Sequence, residues 1–264
     1  MTTIAITAIG VEAAALQAVG ATLKRYGLDP VGGPLAVTAE EVVKVNWRPM
    51  VDAMLARKPA MLLIVADAKA LAEAPARYAL GLMGSTLRGE SGSRLPVAVL
   101  VIGADAGAPS VPPLLADAQV LEPGAAWPAK IVAAVHRARA AGSSDRLVVH
   151  GNEQLGQWLE LAPAQGSWQG LVFGVSGEGA SIDFQAVGPR GGLPEKSVLA
   201  FAQQDMQVEA GSRRFTAWAL RNPVGETEAG PMSYYVRVRG CPEALLWMPY
   251  TENDDGDATV LALS

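Results

Sequence analysis

Few residues in this 264-residue sequence have the types and spacing that catalysis needs. Its one cysteine, Cys241, can form neither an intramolecular disulfide nor a cysteine-based zinc site, and it lies in a Gly-Cys-Pro turn. The two histidines, His136 and His150, are too few for a metal site of their own. The serine-containing segment GVSG at 174–177 departs from the G-x-S-x-G pattern of hydrolases and is typical of a hairpin turn. We therefore predict no catalytic residue and structural roles for both histidines.

One acidic segment could supply oxygen ligands to a metal. Residues 252–257 read ENDDGD, and calcium binds six to eight oxygens, several of which Asp254, Asp255 and Asp257 could provide. The segment lacks EF-hand spacing, and an Asp-Gly pair between two strands is equally typical of a β-hairpin. We favour the hairpin and predict no metal. Since the sequence also lacks a G-x-G-x-x-G or Walker glycine-lysine loop, we predict no cofactor.

The tryptophans allow a second binding hypothesis. Four of the six lie in the second half of the chain: Trp158, Trp168, Trp218 and Trp247. Aromatic rings on the face of a β-sheet can stack on sugar rings, so a carbohydrate-binding module is one possibility. Large aromatic residues also fill the cores of β-sandwiches, and we favour that interpretation. An exposed, coplanar pair of rings would favour sugar binding instead.

Charge and hydropathy limit the partners. The net charge is −5, with 21 basic and 26 acidic residues and no basic run, whereas binding to nucleic acid requires a basic surface. No apolar stretch approaches the roughly 18–20 residues that cross a bilayer, and the first residues do not resemble a signal peptide. We therefore expect a cytoplasmic protein that binds neither nucleic acid nor membrane; its oligomeric state stays open.

Strand and helix patterns alternate through residues 1–142. Apolar runs at 3–8, 61–66 and 96–103 are typical of buried parallel strands, and weaker strand patterns occur at 30–37 and 119–121. Helical spacing separates them, at 12–26, 38–58, 68–88 and 127–141. We expect a capping box at Thr38 and Glu41, and a break at Pro49. Because β-α-β crossovers are right-handed, the order predicts a five-stranded, doubly wound, flavodoxin-like parallel sheet ordered 2-1-3-4-5.

The pattern changes after a small polar linker near 142–145. Glycine, proline and tryptophan become more frequent, and short alternating runs replace helical spacing. We predict strands at 147–150, 157–161, 170–175, 181–187, 198–202, 215–220, 234–239, 244–249 and 258–263. Evenly spaced short strands of this kind predict a β-sandwich domain at 146–264.

Part of the first half resembles a response-regulator receiver domain. The resemblance is carried by PAMLLIVAD at 59–67, LPVAVL at 95–100 and ADAQVLEP at 116–123. It implies that Asp67 occupies the place of the phosphorylated aspartate and that Pro123 matches the proline after the last strand. Receivers also have an acidic pair after the first strand and a lysine before that proline, where this chain has TAI at 7–9 and Glu122. Phosphoryl transfer needs a metal and a cation, so the resemblance implies a pseudo-receiver.

The carboxyl ends of parallel strands form the ligand-binding edge of such a sheet. Our candidate ligand-binding residues at this edge are Thr7, Asp67, Gly103 and Glu122. Flavin mononucleotide would need a denser hydroxyl and glycine loop than TAIG at 7–10. TIR domains share the topology, and some cleave NAD with a glutamate after the third strand, a position that Glu73 could occupy.

The leading hypothesis is a non-catalytic adaptor that binds another protein, in a bacterial-type signalling or assembly context. It follows from a common scaffold that lacks its usual catalytic residues. A TIR-like NAD-cleaving hydrolase and a carbohydrate-binding β-sandwich are the alternatives.

Overall fold

The computed structural model describes residues 1–92, 95–103, 111–137, 144–193, 203–228, 230–250 and 257–263. The chain forms two compact units, which we call the first and second units. The first comprises Met1–Val42 and Trp47–Gly142, and the second comprises Val43–Asn46 and Ser143–Ser264. Within the described residues, no helix combines the length and apolar character needed to cross a membrane.

Five parallel strands form the sheet of the first unit. They are β1 (Thr2–Ile9), β2 (Leu28–Pro34), β3 (Leu62–Asp67), β4 (Val97–Ile102) and β5 (Gln119–Leu121). Their order is β2-β1-β3-β4-β5, which confirms the predicted flavodoxin-like fold. The residues of β3 and β4 are buried except for the last of each strand, as expected for central strands covered on both faces.

The described α-helices lie in the first unit, apart from the last residue of α2: α1 (Ala13–Arg25), α2 (Ala39–Val43), α3 (Arg48–Ala56), α4 (Ala68–Ala72), α5 (Ala74–Ser91) and α6 (Trp127–His136). The capping box is confirmed, since the backbone N–H of Glu41 donates to Thr38 Oγ1 and that of Thr38 to Glu41 Oε2, both at 3.3 Å. The prediction of one helix over 68–88 is wrong. Glu73 has an extended ψ of 133° and Pro75 lies in the first turn of α5, so the chain starts a new helix there.

Eleven described strands form the second unit: β6 (Arg146–Asn152), β7 (Gly156–Ala162), β8 (Ser167–Trp168), β9 (Gly170–Ser176), β10 (Ser181–Pro189), β11 (Gln203–Ala210), β12 (Arg213–Leu220), β13 (Val224–Thr227), β14 (Gly230–Arg239), β15 (Ala244–Tyr250) and β16 (Thr259–Ala262). One sheet has the order β6-β7-β14-β13-β8, with β10 also paired to β14; we call it the β14 sheet. The other has the order β11-β12-β9-β15-β16, and we call it the β9 sheet. Two antiparallel sheets confirm the predicted β-sandwich.

The strand predictions missed β8, β11 and β13. The first and last of these have only two and four residues, and β11 is largely exposed, so none carries a buried alternating pattern. The predicted strand at 198–202 lies outside the described residues.

The two sheets share an apolar core in which Tyr234 of β14 meets Phe173 of β9, with ring centroids 6.1 Å apart. The Tyr234 hydroxyl donates to Gln185 Oε1, and the side-chain amide of Gln185 donates to the carbonyl of Ala219 in the β9 sheet. Because side chains alternate along a strand, Tyr235, Arg237 and Arg239 lie on the opposite face of the β14 sheet, away from the β9 sheet. We call this face the outer face.

Candidate functional site

Asp67 and Gly103 lie together at the carboxyl-terminal edge of the first unit's sheet. Asp67 is the N-cap of α4, where its Oδ1 accepts from the backbone N–H groups of Lys69 at 2.9 Å and Ala70 at 3.2 Å. A Cβ atom added to Gly103 would lie 3.3 Å from Asp67 Oδ2, and one added to Gly10 would lie 3.1 Å from Asp67 Cβ. Backbone N–H groups of α4 thus bind one carboxylate oxygen of Asp67, and Gly10 and Gly103 lie close to its side chain.

The other two candidates of this edge are placed differently. Thr7 is fully buried inside the sheet, between Gly33 of β2 and Ile64 of β3, and its Oγ1 has no hydrogen-bond partner among the described residues. Glu122 is exposed after β5, where it lines an open depression of about 460 Å³ together with Trp127 and Lys130. The structure therefore brings Asp67 and Gly103 into contact distance, whereas Thr7 lies inside the sheet and Glu122 beyond β5.

Incubation with a phosphodonor tests whether Asp67 can be phosphorylated. We expect no stable acyl phosphate after incubation of the protein with acetyl phosphate and Mg²⁺, because β1 ends without carboxylates to hold the metal and Glu122 replaces the stabilising cation. Intact-mass spectrometry after acid quench measures this, with a functional receiver domain as the positive control. Phosphate on Asp67 would overturn the pseudo-receiver interpretation.

The remaining polar candidates are dispersed. Glu73 is exposed at the junction of α4 and α5 rather than within a helix, and His136 is the exposed last residue of α6. Cys241 is half-buried, and burial raises the pKa of its thiol, which disfavours the reactive thiolate. Asp257 is exposed, while Asp254 and Asp255 lie outside the described residues. The described part of the chain contains no group of three or more His, Cys, Asp or Glu side chains that could hold a metal ion.

Three of the four tryptophans proposed for sugar binding are buried. Trp168, Trp218 and Trp247 are 6–9% exposed. The indole N–H of Trp218 donates to Asp205, and that of Trp247 donates to Asp145, both at 3.2 Å. A ring that stacks on a sugar must expose a face to solvent, so only the half-buried Trp158 retains that possibility.

A cluster of buried polar groups lies at one end of the outer face. The Glu160 cluster consists of Arg146 and His150 on β6, Glu160 on β7 and Ser233 on β14. Glu160 Oε1 accepts from Arg146 Nε and the Ser233 hydroxyl at 2.8 Å, and its Oε2 lies 2.9 Å from Arg146 Nη2 and 2.6 Å from His150 Nε2. The Glu160 side chain is fully buried.

The turn after β10 completes the Glu160 cluster. The backbone N–H of Gly191 donates to Glu160 Oε1 at 3.1 Å. Tyr235, beside Glu160 on the neighbouring strand, donates its hydroxyl to the carbonyl of Pro189 and accepts from the N–H of Gly192. Burial, together with the charge of Glu160, raises the pKa of Tyr235 to about 12. These bonds hold the turn against the sheet.

The ionisation of Glu160 suits a structural role rather than catalysis. Burial alone would raise its pKa, but hydrogen bonds with His150 and Arg146 and the charge of Arg146 lower the pKa from 4.5 to about 2. A base that activates a serine hydroxyl works best with a pKa near the working pH. Ser233 is also fully buried, so the Ser233–Glu160 hydrogen bond joins β14 to β7 away from solvent.

Acid should weaken the second unit through this carboxylate. Because the pKa of Glu160 is lower in the folded state than in the unfolded chain, its stabilisation is fully present above about pH 5 and is lost as the pH falls toward 2. The pKa change corresponds to about 3 kcal/mol. Urea unfolding at a series of pH values measures it, with Glu160→Gln lacking this part of the pH dependence. Equal acid sensitivity of both proteins would contradict the assignment.

The other end of the outer face is exposed and combines aromatic side chains with arginines. We define the aromatic–arginine patch as Leu155, Trp158, Asp183, Phe184, Arg237 and Arg239. Leu155 in the β6–β7 turn is 47% exposed, and Phe184 on β10 is 38% exposed. The rings of Trp158 and Phe184 meet edge to face at 5.6 Å, and the guanidinium carbon of Arg237 lies 5.5 Å from the Trp158 ring centroid.

Asp183 organises this patch through a β-bulge. The register between β10 and β14 shifts between Ile182 and Phe184, so Asp183 and Phe184 together oppose Arg237. Asp183 Oδ1 accepts from Arg237 Nε at 2.7 Å and Oδ2 from Arg239 Nε at 2.5 Å. Burial alone would raise the pKa of Asp183, but these hydrogen bonds and charges hold it below its usual value. Without the bulge, strand alternation would direct Asp183 and Phe184 to opposite faces.

Sequence reasoning identified neither the Glu160 cluster nor the patch. One signal was present: Tyr235, Arg237 and Arg239 alternate with apolar residues on a predicted strand, which marks a polar face. Their partners on β6, β7 and β10 depend on strand pairing, which the sequence pattern did not provide.

Comparison of the chain with protein-family models, curated proteins and solved structures gave no match.

Proposed function

We propose that this chain is a non-catalytic binding protein that contacts another protein through the aromatic–arginine patch. The proposal rests on a solvent-accessible group on an otherwise buried sheet face, in which Leu155, Phe184 and Arg239 are exposed and Trp158 and Arg237 are half-buried. Tryptophan and arginine are enriched among residues that dominate binding energy at protein interfaces, and contiguous exposed apolar residues often mark such sites. Lone exposed apolar residues would carry no such meaning.

The geometry of Trp158 favours a protein partner over a sugar. A sugar ring stacks on an open indole face, whereas Phe184 and the guanidinium of Arg237 already approach this indole. The Trp158 N–H also donates to the carbonyl of Leu155 at 3.1 Å, which fixes the ring. Rigid aromatic rings lose little conformational entropy when a partner binds.

The first unit fits this proposal as a pseudo-receiver. Asp67 serves as a helix cap, and the residues that would hold magnesium and neutralise a phosphoryl group are replaced. A receiver-like scaffold without these residues would act by binding a partner and not by phosphoryl transfer, in a cytoplasmic signalling or assembly context. The NAD-cleavage alternative gains no support from the exposed position of Glu73 at a helix junction.

Selection of displayed random peptides on the immobilised full chain tests the proposal. We expect recovered peptides to bind the wild-type protein and to lose roughly tenfold or more in affinity for Phe184→Ser, since truncating an anchor at an interface typically costs more than 1 kcal/mol. The matched control is Val260→Ser, which replaces an apolar residue of similar exposure on the β9 sheet. Recovery of no peptide, or equal binding to Phe184→Ser and wild type, would reject the patch as the binding surface.

A further inference from the structure

The two arginines of the aromatic–arginine patch present unused donors. Asp183 binds each of them through Nε, and among the described residues no other hydrogen-bonding partner contacts the terminal nitrogens of Arg237 or Arg239. A guanidinium group can bind a carboxylate through two parallel N–H donors, and the terminal nitrogens supply donors of this kind. The Asp183 side chain is 18% exposed, and its two oxygens bind both arginines at once, which restricts the orientations of the guanidinium groups.

The local charge is also unbalanced. Two guanidinium groups share one carboxylate, which leaves one positive charge in excess on a protein whose net charge is −5. Arg239 is 70% exposed, so an incoming group can reach it, and Arg237 is positioned over the aromatic rings. One surplus charge suits one carboxylate, whereas a nucleic acid presents a series of phosphates and requires a broader basic surface.

Apolar surface adjoins these donors. The guanidinium carbon of Arg237 lies 6.0 Å from the ring of Phe184, which is itself 38% exposed. A ligand that places a carboxylate on the arginines can therefore place an apolar side chain against Phe184.

We propose that the aromatic–arginine patch binds an acidic peptide segment, in which an Asp or Glu carboxylate contacts Arg237 and Arg239 and a neighbouring apolar side chain contacts Phe184. This inference rests on the proposed function and adds the chemistry of the partner. Asp183 contributes by fixing both arginines before the peptide arrives, which reduces the ordering cost of binding.

Short synthetic peptide libraries test this proposal with the full chain. One library combines leucine and glutamate at randomised positions, a second replaces every glutamate with glutamine, and a third replaces every glutamate with lysine. We expect the glutamate library to bind at least roughly tenfold more tightly than the glutamine library, and added salt to reduce that preference.

Substitutions test whether the arginines cause the preference for the glutamate library over the glutamine library. Arg239→Gln should remove most of it, and because this side chain is largely exposed, the variant should fold; circular dichroism verifies this. Arg214→Gln is the control, since Arg214 is an equally exposed arginine paired with Glu209 on the β9 sheet.

The outcomes separate the two proposals. Equal binding of the glutamate and glutamine libraries, abolished in both by Phe184→Ser, would overturn the acidic-peptide inference and retain protein binding. Failure of all libraries to bind would overturn both. The acidic-peptide inference would also be overturned if a single-stranded oligonucleotide bound more tightly than the glutamate library and Arg239→Gln weakened the binding of that oligonucleotide.

Discussion

Glu160→Ala is expected to lower the free energy of unfolding of the second unit by about 3–5 kcal/mol, the usual cost of removing one partner from a buried ion pair. Arg146, only 14% exposed, would lose the carboxylate that binds its Nε and Nη2. Ser233 and the N–H of Gly191 would also lose their acceptor. Since these groups come from β6, β14 and the turn after β10, the loss extends across the outer face.

Hydrogen exchange followed by mass spectrometry measures this effect separately in the two units, because exchange is resolved along the chain. Peptides from β6, β7 and β14 should exchange faster in Glu160→Ala, while those from β1, β3 and β4 keep their wild-type rates. The control is Glu209→Ala, which breaks the exposed pair with Arg214 and should cost less than about 1 kcal/mol. Similar effects from both variants would show that the Glu160 cluster is no more important than a surface ion pair.

Gly32→Ala is expected to destabilise the first unit by roughly 2–6 kcal/mol through strain and steric overlap. Gly32 has a φ of +132°, which residues with a side chain rarely adopt. A Cβ atom there would lie 2.1 Å from the carbonyl oxygen of Ile6 on the paired strand and 2.4 Å from Met54 Cε. The methionine can move, but the backbone of β1 cannot do so without disturbing its pairing with β3.

The neighbouring Gly33 supplies a closely matched control. A Cβ atom added to it would meet nothing within 4 Å, and its φ lies outside the strained range. Gly33→Ala should therefore change the free energy of unfolding by less than about 1 kcal/mol. Equilibrium urea unfolding, with hydrogen exchange of peptides from β1 and β2 as a local measure, compares the two. Equal free energies of unfolding for Gly32→Ala and Gly33→Ala would contradict the close approach of β1 to β2 at Gly32.

Local patterns were enough to predict much of the first unit. The apolar run at 61–66 can be buried on both sides only as a central strand, and Thr38 with Glu41 forms a capping box from contacts three residues apart. The break at Pro75 was also present in the sequence as a proline that cannot occupy the middle of a helix. The alanine- and leucine-rich residues on both sides of Pro75 favour helix, which is why their pattern predicts one continuous helix.

The outer face of the second unit could not be derived in this way. Glu160 lies in an apolar run, where it gives no sign of an acidic site, and its partners Arg146 and Ser233 come from different strands. Asp183 and Phe184 are adjacent in sequence, so strand alternation predicts opposite faces, but the β-bulge directs both toward Arg237.

The sequence by itself determined most of the element types, the parallel sheet followed by a β-sandwich, and the replacement of the residues that a receiver domain needs for phosphorylation. These follow from periodicity and residue type, which are local properties. Only the tertiary structure decided that Glu160 is a buried anchor, that three tryptophans belong to the core and that the half-buried Trp158 and Arg237 form one surface with the exposed Phe184. Those properties depend on strand register and burial, which arise when residues distant in sequence pair across the sheet.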